Sequence, residues 1–365
     1  MEVTDITAIP VEASVRPLSE GGIAPYVTNH GAVESMTKLL VRLETDTGVT
    51  GWGEMSCPMD PRATVAVVEH EIAPHAIGRE VWEIEAFVDD FFYYYIDISS
   101  LLGGVEMAMW DALGKQLGAP LHKLLGGAVT DPVPVAYCVG IRSPEESREH
   151  VRHALAEGYP VLKTKAGRDW RTDVERMAAM HDEADGRLDL RVDPNQGWAF
   201  EDAVRVGAQL EDRGVYLQYL EQPCRIETYG TYAKLRERLR QPVAVNDDTY
   251  FAHNLYQYVR GDGVDVGVVD IVPSGITGTR RLAGVAADAG VSLAHHNGFD
   301  LGIKQAAVLQ TVASTPAFTL PPDTVYYAWA DHVIEEPLAI EDGAMPVPDG
   351  PGLGVDVDEQ RVEEL

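Results

Sequence analysis

The spacing of apolar residues changes about one third of the way along the chain. In the first part, Val3–Val15 and Thr37–Thr45 alternate as strands do, and Gly48–Glu54 reads as the return of a hairpin. Three stretches with helical apolar spacing follow, Arg62–Ile77, Val81–Tyr94 and Leu102–Leu117. Between the first two strands, Pro17–Gly31 is rich in Gly, Pro, Ser and Asn and predicts a long loop, a kind of loop that often carries function. From Val133 onward short β-branched runs take over: Val133–Gly140, Pro160–Lys165, Leu188–Asp193, Leu217–Glu221, Val243–Asp247, Val266–Asp270, Val291–His296 and Ala317–Leu320. Helical stretches separate them, among them Glu145–Glu157, Thr172–Ala184, Glu201–Asp212 and Arg280–Ala289. Strand–helix units repeated in this way predict an α/β protein, a (β/α)8 barrel of the TIM type behind an N-terminal α+β capping domain. The expected division is 1–128 for the cap and 129–325 for the barrel, with 326–365 returning to the cap.

Charge narrows the partners. The chain has 365 residues, 58 acids against 29 Lys and Arg, and a net charge of −29, which argues against binding nucleic acid. The acids are spread along the chain and only seven residues are lysine, a composition expected of a protein kept soluble in a very salty cytosol, where salt screens self-repulsion. No apolar run approaches the roughly 20 residues of a membrane helix, and the N-terminus has no secretory pattern, so a cytoplasmic location is expected. The three cysteines, Cys57, Cys138 and Cys224, form no C-x-x-C and suit a reducing compartment.

The candidate chemistry lies at the C-terminal ends of the barrel strands, where such barrels keep their active sites. Successive strands end at Lys165, Asp193, Glu221, Asp247, Asp270 and His296, at intervals of 28, 28, 26, 23 and 26 residues. Each interval is one strand–helix unit, so the six side chains form a ring at one mouth. Three converging carboxylates, Asp193, Glu221 and Asp247, repel one another unless a cation neutralises them. An all-oxygen set without His or Cys selects Mg²⁺, with Mn²⁺ next, over zinc. Lys163 and Lys165 share one face of their strand, and crowding and burial would lower a lysine pKa toward that of a general base. Asp270 beside His296 is a pair in which the carboxylate fixes the imidazole; His295 is the rival, since alternation turns one of the two histidines inward.

Taken in order, the motifs resemble those of the enolase superfamily, in the group of mandelate racemase and the muconate-lactonizing enzymes. They are Gly51–Glu54 (GWGE), the long helix Gly103–Gly127, Lys163–Lys165 (KTK), Asp193–Trp198 (DPNQGW), Leu220–Pro223 (LEQP), Val264–Thr277, Ala294–Asn297 (AHHN) and Val347–Gly354 (VPDGPGLG). The resemblance implies that Asp193, Glu221 and Asp247 hold Mg²⁺ and that Lys165 and the His296–Asp270 dyad act on opposite faces of a substrate. Lys163 helps neutralise its carboxylate, and Asn195 and Asp248 lie beside the ligands. Asp270, rather than lysine, at the end of the sixth strand points to the mandelate-racemase-like branch. Where that branch carries a glutamate after strand eight, this chain has Pro321 and Pro322, with Asp323 the nearest acid. The loop bearing Tyr26, Asn29 and His30 is the expected determinant of specificity, and a homo-oligomer is implied. The expected activity is abstraction of the proton α to a carboxylate, first as an acid-sugar dehydratase. A racemase or epimerase comes second, and a cycloisomerase or an inactive relative is less favoured.

Overall fold

A computed structural model describes residues 1–90, 98–225, 228–247, 249 and 252–365. Asp248 and the last four positions of the predicted helix Val81–Tyr94 lie outside the described residues. The capping domain opens with an antiparallel sheet of β1 (Val3–Ser14), β2 (Ser35–Thr45) and β3 (Thr50–Ser56). Helix α1 (Leu102–Leu117) lies across it. The glycines of the GWGE motif permit this close approach. A Cβ on Gly53 would stand 1.9 Å from the Gly104 carbonyl oxygen, and one on Gly51 would stand 2.1 Å from that of Ala108. The alternating residues Trp52 and Glu54 are buried as well; Trp52 packs in the large core shared with the barrel, and Glu54 bonds to a barrel helix.

The predicted helix Arg62–Ile77 is continuous in outline but mixed in detail: Pro61–Val67, a π turn at Val68–Ile72 and Ala73–Ala76. Pro74, which offers no N–H, sits in the first turn of the last piece, where that donor is not needed.

Eight parallel strands build the barrel: β4 (Ala136–Val139), β5 (Val161–Lys165), β6 (Asp189–Asp193), β7 (Tyr219–Glu221), β8 (Val243–Val245), β9 (Val266–Val269), β10 (Ser292–His295) and β11 (Asp323–Thr324). From β4 to β10 each pairs with its sequence neighbour, and β11 pairs with β4, leaving β10 and β11 without a ladder between them among the described residues. The helices between them are α2 (Pro144–Ala156), α3 (Trp170–Ala184), α4 (Phe200–Asp212), α5 (Tyr229–Arg238), α6 (Ala252–Arg260), α7 (Ile271–Ala289) and α8 (Gly302–Ala313). Tyr219, Ala244, Val266, Val268 and Ala294 pack together in the lumen, which sets the inward register of the strands on that side.

The eighth strand is a correction. Ala317–Leu320 is not a strand; the ladder resumes at Asp323, beyond Pro321 and Pro322. Two successive residues without N–H groups cannot donate to a ladder, so two-way pairing starts after them, although the Pro322 carbonyl already accepts from Ala136 N–H at 2.9 Å. Leu320 N–H still donates to the Leu293 carbonyl at 3.2 Å, bridging the gap between β10 and β11. Helix α7 is preceded by a turn that the apolar spacing does not predict: Asp270 caps a first turn from Ile271 by accepting from Val272 N–H at 2.8 Å, and a kink at the non-helical Gly275 separates that turn from the long helix.

Three buried carboxylates of the cap fasten it to the barrel and tail. Glu106 accepts from Ile276 and Thr277 N–H at 2.6 and 2.9 Å, beside the left-handed Gly275 at φ 68°. Glu54 accepts from Leu301 and Lys304 N–H at 2.7 and 2.8 Å. Asp111 accepts from Trp52 and Leu353 N–H, both at 2.8 Å, and so holds the returning C-terminal segment. Among the described residues no helix is long and apolar enough to cross a membrane.

Candidate active site

Strand register carries the side chains to one mouth. Lys165 pairs with Asp193 across β5 and β6, and Tyr219 with Arg191 across β6 and β7. Lys163 Nζ lies 2.6 Å from Glu221 Oε2, 2.7 Å from Asp323 Oδ2 and 3.6 Å from Asp193 Oδ2. Lys165 Nζ donates to Asp193 Oδ2 at 2.5 Å and to Asn195 Oδ1 at 2.7 Å. Asn195 Nδ2 and Gln196 Nε2 donate in turn to Asp247, at 3.1 and 2.9 Å. Asn195 and Gln196 both have positive φ, 43° and 63°, and this tight left-handed turn aims two amides at one carboxylate.

Burial and charge set the proton affinities. Burial alone would push Asp193 up, but Lys165 and Lys163 outweigh it and hold the acid down at about 2. Glu221 goes the other way: burial, and then the charge of Asp193, push it up to about 8. Burial would lower Lys163, yet Asp323, Glu221 and Asp193 together raise it well above the ordinary lysine value. The three acids around Lys163 favour its charged form, opposite in direction to the lowering expected from burial and a neighbouring cation.

On the other side, His296 Nδ1 is 3.2 Å from Asp270 Oδ2. His295 is the outer member of the pair. Its Nε2 accepts from Ile271 N–H at 3.1 Å, so Nδ1 carries the proton it donates to the His296 carbonyl at 2.6 Å. Burial pushes His295 down to about 4 and keeps it neutral. Asp323 does reach the lumen, but it is held between Lys163 and Arg191, the latter donating at 2.9 Å.

Lys163, Lys165, His296, Asp323 and Tyr26 line a cavity of about 170 Å³, together with Thr28, Cys138 and Phe299. Tyr26 is buried, its ring edge-on to Phe299 at 5.1 Å. His30 and Asn29 do not line this cavity; both bond to the Asn195 carbonyl, at 3.2 and 3.1 Å, and lay the capping loop against the ligand turn. A larger cavity of about 620 Å³ lies between Trp82, Trp110 and Arg280, away from the strand ends. Two lysines, a histidine and an acid at the strand ends make the smaller one the candidate site.

The donor set suits a hard divalent cation. Both Glu221 oxygens are buried; Oε2 is paired with the Lys163 ammonium, and Oε1 has no hydrogen-bond partner among the described residues. The three acids are not yet gathered: no cluster of three or more His, Cys, Asp or Glu stands at metal-binding separation among the described residues. Lys165, Asn195 and Gln196 occupy the space between Asp193 and Asp247. Arg191, Gln196, Lys304 and Glu54 escaped the sequence reading. Alternation from Asp193 would have turned Arg191 inward, and in a lysine-poor chain Lys304 was itself a signal.

Residues 12–126 match the family described as mandelate racemase / muconate lactonizing enzyme, N-terminal domain, and residues 146–361 match enolase C-terminal domain-like. A cis-3-hydroxy-L-proline dehydratase from Roseibium aggregatum is 29% identical, over 96% of this chain and 95% of that protein. An N-succinyl-L-Arg/Lys racemase from Bacillus cereus is 24% identical, over 99% and 97%. Among solved structures, an enolase from Streptomyces coelicolor is 33% identical with a TM-score of 0.89, over 100% of this chain and 96% of that one.

Proposed function

Because the chain belongs to the mandelate racemase / muconate lactonizing enzyme group of the enolase superfamily, we propose that it removes the proton α to a substrate carboxylate and then expels a β-hydroxyl, as an acid-sugar dehydratase. The observation that carries this reading is that Lys165 and the dyad imidazole His296 line one small cavity from different strands. With Mg²⁺ or Mn²⁺ held by Asp193, Glu221 and Asp247, the substrate carboxylate and the charge developing on it gain a Lewis acid.

The protein's own groups do the rest. Lys163, held positive by its acids, faces the same charge. Lys165 takes the α-proton, and the pair of electrons left behind forms the enediolate. His296, held by Asp270, gives its proton to the departing β-hydroxyl, which leaves as water, and the enol product relaxes to a 2-keto-3-deoxy acid. Asn195 and Gln196 hold Asp247, and Tyr26 closes the cavity from the cap. Asp323 does not replace a strand-eight glutamate in this scheme, since Lys163 and Arg191 occupy its two oxygens. The acidic, lysine-poor surface belongs to the same proposal: the enzyme works in a salt-rich cytoplasm.

A second reading, racemase or epimerase, is favoured by the same two groups if both act on one carbon. A panel of acid sugars with Mg²⁺ and KCl in D2O, followed by proton NMR, separates the two. A 2-keto-3-deoxy acid that disappears in Lys165→Ala and His296→Asn supports the dehydratase. Deuterium at the α-carbon without loss of water replaces it with the epimerase.

A further inference from the structure

A line of buried charges that the scheme above leaves unused runs from the capping domain to the dyad. Lys38 on β2 is fully buried and donates to Ser56 Oγ at 3.2 Å and the Gly298 carbonyl at 3.1 Å. Glu54 and Asp300 lie 3.7 and 3.6 Å from its ammonium. Lys304, also buried, donates to Asp300 Oδ1 and to Asp270 Oδ2, both at 2.8 Å. That Oδ2 is the atom facing His296 Nδ1. The line is closed by backbone. Helix α8 has no side-chain cap at Leu301, and Glu54 supplies one from the other domain through Leu301 and Lys304 N–H.

We infer that Lys304 is a positioning residue for His296: it pins the Asp270 carboxylate on the Nδ1 side of the imidazole and shares its charge, and the cap holds Lys304 in place through Glu54. The inference rests on the reading of His296 as the working imidazole. Lys38 and Lys304 are positive and Glu54, Asp300 and Asp270 negative, so the buried set carries one negative charge in excess that a protonated His296 balances. Without Lys304 the excess becomes two, and the dyad grips its proton. Lys304 thus leaves the imidazole able to release it. The other charged or titratable groups around His296 are His295 beside it in the chain, Asp323 on β11, Cys138 on β4, Lys163 and Lys165 lining the cavity, and Tyr26 from the loop. Among the described residues, Lys304 is the lysine or arginine within salt-bridge distance of Asp270.

The test needs no substrate. Full-length protein labelled with ¹⁵N at histidine is titrated by NMR, with His296→Asn assigning the ring signal. Lys304→Gln should raise the His296 midpoint by about one pH unit, tenfold in proton affinity. Lys304→Arg should restore it, and Glu54→Gln, which takes one acid out of the set, should lower it by less. If Lys304→Gln does not fold, the pair Asp300→Asn with Lys304→Gln takes its place; it leaves the charge count of the buried set unchanged, so a smaller upward shift is expected, from loss of the ammonium that touches Asp270. An unmoved midpoint in the folded variant, or a shift that arginine fails to reverse, overturns the inference. A shift as expected together with no deuterium exchange on any acid would keep it and remove the proposed activity instead.

Discussion

The two sides of the barrel mouth are built differently. On the lysine side, Lys163, Lys165 and Arg191 stand among Asp193, Glu221, Asp247 and Asp323, and Glu221 Oε1 is left without a hydrogen-bond partner among the described residues. On the dyad side, Asp270 is bonded to His296, Lys304 and Val272 N–H, and Lys304 is held by Asp300 and, through its backbone, by Glu54. Each side counts one acid more than its cations. The donor set of the first suits a cation from solution. The second draws its charge partners from the chain, in part from another domain. On the proposed reading, one side is completed by binding and the other by folding.

The largest expected effects separate the two sides by reaction step. Lys165→Ala should lower α-proton exchange by about 10²- to 10⁴-fold, the usual range for a general base. His296→Asn should lower water loss by a similar factor while exchange into D2O continues, because the proton leaves toward the other side. Proton NMR of an acid-sugar substrate in D2O reads both. If His296→Asn stops exchange as completely as Lys165→Ala, the two groups serve one carbon and the division of labour is wrong.

Acid should injure the dyad side first. His295, whose Nε2 accepts from the N-terminus of α7, titrates at about 4 in the folded protein against an ordinary 6.5. Below pH 6.5 the unfolded chain takes up a proton that the folded one refuses. Stability from this group is thus complete above 6.5, falls as pH drops toward 4 and levels off below it. The total is about 3 kcal/mol by linkage. Thermal unfolding across that range should show the decline, and His295→Asn should flatten it. A wild-type slope unchanged in that variant would place the acid sensitivity elsewhere.

How much of this was legible in the chain depends on the distance over which each feature is decided. The ring of strand-end residues was legible because strand alternation and the strand–helix period are local. Asp193, Glu221 and Asp270 follow from counting. The eighth strand lies beyond the apolar run Ala317–Leu320 because Pro321 and Pro322 interrupt it, and the missing N–H groups outweigh its hydrophobicity. The choice between His295 and His296 needed the lumen-facing register, which packing of Ala294 with Val266 and Val268 decides. The state of Lys163 depends on how many acids reach it, and Asp323 lies 160 positions away. Glu54 and Lys304 are 250 positions apart, and only the docking of the cap on α8 joins them.

Divalent cation should distinguish the sides by stability. At a hundredfold excess of Mg²⁺ over its dissociation constant, the folded protein gains about 2.7 kcal/mol. Glu221→Gln should lose most of that increment. Glu54→Gln should keep it while lowering the cation-free stability by about 1 kcal/mol, the usual worth of a helix cap. Thermal melts with and without Mg²⁺ decide this, and an increment lost equally in both variants would erase the distinction.

Salt offers the smallest effect. Raising KCl from about 0.1 to 1 M shortens the screening length from about 10 to 3 Å. With a net charge of −29 spread over the chain, the melting temperature should rise as surface repulsion fades. The His296 midpoint should move by less than about 0.3 unit over the same range, because ions in solution do not screen buried partners and Asp270, Asp300 and Lys304 are 6% exposed or less. NMR titrations at the two salt concentrations measure this directly. A midpoint that follows the salt as steeply as the melting temperature would mean that the imidazole answers to the acidic surface, and that the buried line from the cap does not set its charge.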